Sequence, residues 1–263
     1  MHRILFHIGS YPIFSFGVFV ALGCVAASYL AASQSGRLRL DRDNVLEICV
    51  WVVAAAVLGA RLGFVLQNAG FYATHPGEIL NMRAGGMSWH GSLVGIVVGA
   101  YIPCRRHGVA LLDFLDIAGP GILLGLAVGR IGCFLNGCCY GKVTEAAWAI
   151  VTPTESDPVH LLPRYPTQLL EMGLALVTVP ALVLWLRHRR FKGEVFIGFL
   201  VLYSVIRFVV EFFREGATLG GTPLTLAQWV SVGLVGVGGA AIALRRAGQP
   251  ASTLEEAESS VGS

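Results

Sequence analysis

Seven apolar stretches divide the chain, near residues 13–32, 45–66, 88–104, 113–134, 167–186, 194–213 and 224–244. A bilayer-spanning helix needs about 20 mostly apolar residues, and the third stretch is the shortest of the set. Lipid leaves no water for unpaired backbone groups, so each stretch is expected to be a helix. The pattern predicts an all-α membrane protein, a bundle of seven transmembrane helices. Within the third and fourth stretches glycines recur every four residues, as Gly91, Gly95 and Gly99 and as Gly121, Gly125 and Gly129. Such stripes let helix backbones approach closely. Pro120 predicts a kink in the fourth helix, and Gly132, Gly137 and Gly141 predict where that helix breaks into a loop.

Composition agrees with the pattern: of 263 residues, 55% are hydrophobic and only 13% charged, with a mean hydropathy of +0.68. Soluble domains carry roughly a quarter charged residues. The net charge of +3 matters less than its placement. Basic clusters (Arg37, Arg39 and Arg42; Arg105 and Arg106; Arg187, Arg189, Arg190 and Lys192; Arg245 and Arg246) follow stretches one, three, five and seven. The other loops carry only Arg3, Arg83, Lys142, Arg164 and Arg214. By the positive-inside rule the N-terminus faces outward and the C-terminus the cytoplasm. Four dispersed clusters, each following a span, fit topology rather than a nucleic-acid surface. The first stretch runs past "VALGC" to "SYLAA" before its basic flank, so it is read as an uncleaved helix. Residues 1–247 are expected to form the membrane domain, and 248–263, "GQPASTLEEAESSVGS", a disordered polar tail.

This orientation places the polar residues of the spans at a common level near the outer surface. Arg61, His90, Arg130, Asn136, Gln168, Glu171, Arg207 and Glu211 come from five helices. An isolated arginine near a helix end often snorkels to the interface. Three arginines sharing a depth with a histidine and two glutamates point instead to a wet interior site, since intramembrane ionisable groups are costly. Arg207 and Glu211 stand four apart on one helical face, a spacing that also suits a purely structural pair. Guanidinium forks suit phosphate, and at headgroup depth the available phosphate belongs to a phospholipid.

Six cysteines do not form a secreted disulfide framework here. Cys24, Cys49 and Cys104 read as apolar fillers. Cys133, Cys138 and Cys139 crowd the outer end of the fourth span. They lack a histidine pair or a second Cys-x-x-Cys, so no metal site is expected. A disulfide from Cys133 to Cys138 or Cys139, a thiol activated by Arg130 and simple loop-shaping remain alternatives, with a structural role favoured.

At these residues the chain resembles the bacterial prolipoprotein diacylglyceryl transferases. The resemblance is carried by "GARLGFVL" (59–66), "GGMSWHGSLVG" (85–95), "GRIGCFLNGCCYG" (129–141), "RYPTQLLE" (164–171) and "RFVVEFFRE" (207–215). It implies a multi-pass enzyme of the bacterial inner membrane without a cofactor. The reaction implied moves the diacylglyceryl group of phosphatidylglycerol to the lipobox cysteine thiol of a prolipoprotein, with release of glycerol phosphate. Carried over by position, Arg130 and Arg207 would hold the headgroup phosphate, and His90 would accept the thiol proton or serve structurally. Glu211 would orient Arg207, and Arg61, Asn136, Gly141, Gln168 and Glu171 would complete the binding site. Three positions depart from the family pattern: Cys133 replaces an asparagine, Cys138 a glutamate, and Phe16 the tyrosine before Gly17. Two rival readings remain, a paralogue acting on another acceptor through a Cys138 thiol intermediate and a non-enzymatic phospholipid binder or transporter.

Overall fold

The computed structural model describes residues 2–9, 11–81, 85–151, 162–216, 218 and 221–248. The tail from Gln249 and the basic residue Arg83 lie outside the described residues. Each apolar stretch is a helix of 18 residues or more. These are α1 (Ser15–Gln34), α2 (Arg42–Gln67), α4 (Trp89–Arg106), α5 (Leu111–Asn136), α6 (Thr167–Arg187), α7 (Glu194–Glu211) and α8 (Leu226–Ala247); a short α3 (Ala69–Thr74) follows α2. Helices α1, α2, α5, α6 and α8 are long and apolar enough to cross a membrane. Large apolar side chains lie open on these helices, with Val177 75% and Val237 73% exposed. That surface suits hydrocarbon rather than water, and the protein is an all-α membrane protein.

Short polar signals set the helix starts. The Asp41 side chain accepts from the Asn44 amide at 2.9 Å, and Ser88 caps α4 by accepting from Gly91 N–H at 3.4 Å. Thr225 and Gln228 form a reciprocal capping box at the head of α8. Such caps satisfy orphan amides at helix N-termini. Helix α5 runs unbroken through Pro120. Two hairpins were not foreseen: β1 (Ile4–Ile8) with β2 (Tyr11–Phe14), and β3 (Ile150–Val151) with β4 (Pro163–Arg164). The first begins the chain, so α1 starts at Ser15, two residues later than the apolar pattern indicates.

The chain divides into two compact units, residues 28–118 and residues 1–27 with 119–263. In the first, α2 packs along α4. A Cβ on Gly91 would collide with the Gly59 carbonyl, and one on Gly95 with the Ala55 carbonyl, so the glycine stripe sets the approach. In the second unit α7 packs against both α6 and α8, around buried Leu182, Val195, Phe199 and Val210. Gly121 and Gly125 of α5 abut Ala27 and Gly23 of α1, whereas Gly129 faces open space.

Candidate active site

Three helices of the larger unit bring four charged side chains together. Glu171, in the second turn of α6, is 3% exposed. It receives Arg130 of α5 at 2.7 Å and Arg207 of α7 at 3.3 Å. Arg207 also pairs with Glu211 one turn on, at 2.9 Å, the pair the spacing anticipated. The Tyr203 hydroxyl donates to Glu171 at 3.2 Å, and the Thr225 hydroxyl to Glu211 at 3.3 Å. Glu171 thus bridges two guanidinia from different helices. Two positive and two negative groups offset one another, which lowers the cost of holding any of them out of water. A guanidinium offers five N–H donors. Among the described residues, the carboxylates take one donor of Arg130 and two of Arg207.

Asn136 ends α5 in a Schellman turn: Gly137 has φ 73°, its N–H donates to Phe134 O at 3.2 Å, and Cys138 N–H donates to Cys133 O at 3.1 Å. Glycine is the usual residue at this left-handed position. The turn brings Cys133 and Cys138 to the same side. Cys139 also has a positive φ, 66°, which costs an L-residue roughly 1–2 kcal/mol. The loop beyond the turn is pinned from α6, where Gln168 Nε2 donates to Cys138 O at 2.6 Å and Thr167 Oγ1 to Cys139 O at 2.8 Å. Gln168 Oε1 is buried without a partner among the described residues. Gly141 N–H donates to Tyr165 O at 2.9 Å, and a Cβ there would strike the Phe213 carbonyl. Gln168 and Gly141 therefore hold the loop in place.

All six cysteines are free thiols. Cys49 and Cys104 are buried fillers, as expected. The sulfurs of Cys133, Cys138 and Cys139 lie within 4.8 Å of one another. The absence of a second Cys-x-x-Cys argued against a metal site, yet the Schellman turn assembles three sulfurs from one loop. Hydrogen bonding from Cys133 holds the Cys139 thiol down to about 5, assisted by Cys138, Arg130 and Arg214 and opposed by burial. Burial pushes the Cys138 thiol up, against a hydrogen bond with Asn136. Alkylation of Cys139 should therefore rise through about pH 5, while that of Cys138 should rise only above the ordinary thiol range. Timed alkylation with peptide mass spectrometry reads both, and parallel alkaline profiles for the two would contradict the assignment.

Arg61 and His90 belong to the smaller unit. Arg61 is 4% exposed and spends its donors on backbone carbonyls of residues between α3 and α4. They reach Glu78 at 2.7 Å, Ile79 at 2.7 Å, Asn81 at 2.9 Å, Gly85 at 2.9 Å and Gly86 at 3.0 Å. All five N–H groups are thereby occupied by backbone carbonyls. His90 is exposed in the first turn of α4, edge-on to Trp89. An open concavity of about 420 Å³ lies between α4 and α5, lined by Tyr101, Cys104 and Leu111 among others.

Sequence reasoning missed Tyr203, although it precedes Arg207 by one turn and so shares its face. It also missed Glu194, fully buried at the head of α7. Glu194 accepts from Arg246 Nε at 2.8 Å and from Trp185 Nε1 at 3.1 Å, with a further bond from Arg246 Nη2. One arginine of the last basic cluster is thus a tie between α8 and α7.

A polytopic helical protein with an arginine–carboxylate cluster joining α5, α6 and α7 is the class these features define. The profile of the prolipoprotein diacylglyceryl transferase family matches residues 3–244, and the chain belongs to that family. It is 34% identical over 238 residues to the phosphatidylglycerol–prolipoprotein diacylglyceryl transferase of Geobacter sulfurreducens, covering 87% of this chain and 89% of that protein. The identically named protein of Bordetella avium is 37% identical over 212 residues, covering 75% and 78% respectively. That of Bacillus cereus strain Q1 is 32% identical over 257 residues, covering 94% and 93%.

Proposed function

We propose that this chain transfers the diacylglyceryl group of phosphatidylglycerol to the lipobox cysteine of prolipoproteins, the first step of bacterial lipoprotein maturation. The observation that carries the reading is the convergence of Arg130 and Arg207 on Glu171, at 2.7 and 3.3 Å. In the reaction the acceptor sulfur bonds the terminal glyceryl carbon, and the bond from that carbon to the phosphate oxygen breaks. The lipid phosphate begins as a singly charged diester and leaves as a glycerol phosphate monoester with a further negative charge. Guanidinium forks held in place before the reaction stabilise that developing charge. Glu171 and Glu211 fix the two forks, Tyr203 supports Glu171, and Arg61 ties the carbonyls of Glu78, Ile79 and Asn81 to those of Gly85 and Gly86. His90, by its match to the family motif, accepts the thiol proton. A thiol intermediate on Cys138 is disfavoured, because burial keeps that sulfur protonated. Restored growth and lipoprotein processing in a bacterial strain depleted of its own transferase would support the function, and expression at normal abundance without rescue would reject it.

Seven helices, α1, α2 and α4–α8, cross the inner membrane in this reading, with the N-terminus outside. The basic clusters after α1, α4, α6 and α8 support it. A topology reporter fused after Gly248 should read cytoplasmic, and one inserted at Glu145 should read exported. A cytoplasmic signal at Glu145 would move the arginine cluster away from the outer leaflet.

A further inference from the structure

We propose that Cys133, Cys138 and Cys139 form a three-thiolate site for a thiophilic closed-shell cation, zinc or copper(I), at the end of α5. The three sulfurs lie within 4.8 Å of one another, and the Cys138 and Cys139 sulfurs are 3.8 Å apart. An ion bound at about 2.3 Å from each sulfur requires sulfur–sulfur edges of about 3.8–4.0 Å, for tetrahedral or trigonal coordination. One edge already has that length, and the others need to close by no more than about 1 Å to meet it. Soft thiolate sets select zinc and copper(I) among biological metals.

The backbone is built to hold this cluster rather than merely to end a helix. The Schellman turn sets Cys133 against Cys138, while Gln168 and Thr167 clamp the carbonyls of Cys138 and Cys139. Clamps of this kind fix ligands in metal sites. Cys139 keeps a side chain at φ 66°, in a conformation that glycine supplies two residues earlier. An uncommon backbone state retained by a cysteine is accounted for when the sulfur has work to do. Three thiolates give zinc a net charge of −1 and copper(I) one of −2, and the Arg130 and Arg214 charges act on Cys139. Binding releases to solvent the protons of those sulfurs that still carry them. Gln168 Oε1, buried and without a partner among the described residues, belongs to the amide that clamps Cys138.

The test uses the full chain, reduced and purified in detergent without oxygen, and its readout does not depend on transfer activity. Zinc and copper(I) are titrated separately, and bound metal is counted after gel filtration. Cobalt(II) serves as a reporter through its sulfur charge-transfer absorption. One equivalent of zinc or copper(I) should bind and protect Cys133, Cys138 and Cys139 from alkylation, with Cys24, Cys49 and Cys104 as internal controls. Cys139→Ser should weaken binding by more than about 100-fold, since loss of even a supporting partner costs about 10–100-fold. The wild-type protection pattern stands without any variant, so misfolding of a serine variant does not decide the outcome. Binding of neither ion beyond the amount retained by Cys133→Ser/Cys138→Ser/Cys139→Ser, or unprotected thiols in the metal-treated wild type, would overturn the site.

Discussion

Lysine at Arg207 should lower diacylglyceryl transfer by about 100-fold or more while leaving the protein folded, because removing one preorganised donor to a developing oxyanion costs about 10²–10³ in rate. The guanidinium uses two nitrogens at once, one 3.3 Å from Glu171 and the other 2.9 Å from Glu211. An ammonium carries the same charge but no planar fork. It can approach one carboxylate well, and then has no fixed donor left for a phosphate. Arg130→Lys should behave alike, since Arg130 uses a single nitrogen on Glu171 at 2.7 Å and presents the rest of the fork. The loss should fall mainly on kcat, because the extra charge appears on the phosphate as the bond breaks. Activity of either variant within threefold of the wild type, at equal membrane abundance, would demote that arginine to an interfacial anchor.

Glutamine at Glu171 should destabilise the protein by about 3–5 kcal/mol, the usual cost of removing one partner from a buried ion pair. Glu171 is 3% exposed and is the carboxylate shared by both arginines. With its charge gone, Glu211 is the carboxylate left to offset Arg130 and Arg207 among the described residues. The variant keeps the shape of the side chain, so the loss reports charge rather than packing. Thermal unfolding in detergent should shift downward by on the order of 10 °C. Glu171→Asp, which keeps the charge but shortens the reach, should recover part of that stability and little of the activity. An unshifted transition for Glu171→Gln would show that the arginines find other compensation.

The helices were legible because hydropathy is a local property, and lipid makes each apolar stretch settle its own hydrogen bonds. The Arg207–Glu211 pair was legible for a similar reason, since four-residue spacing is local geometry. The role of Glu171 was not. Its position near the head of α6 suggested a binding residue, and only packing of α5, α6 and α7 makes it the bridge between two arginines. The partners of Arg61 were not legible either, since its donors go to backbone carbonyls, which carry no sequence signature. In sequence Arg246 is one of a topology-setting basic pair, and its tie to Glu194 is hidden because Glu194 lies 52 positions earlier in the chain. The thiols were judged by spacing rules for metal motifs, and those rules do not include a Schellman turn that folds residues 133 and 138 onto one side. The hairpin before α1 lies in apolar sequence that hydropathy assigns equally well to strand or helix.

The central claim is that the arginine cluster of this chain supports transfer of a diacylglyceryl group to a thiol. The direct measurement incubates the purified protein with phosphatidylglycerol labelled in its headgroup glycerol and a peptide bearing a lipobox cysteine. Released glycerol phosphate and the peptide's gain of one diacylglyceryl group are both counted. Equal amounts of the two are expected, dependent on the peptide thiol and reduced by about 100-fold or more in Arg207→Lys. Lipid binding with no thioether formed, or transfer undiminished in Arg130→Lys and Arg207→Lys, would contradict the claim.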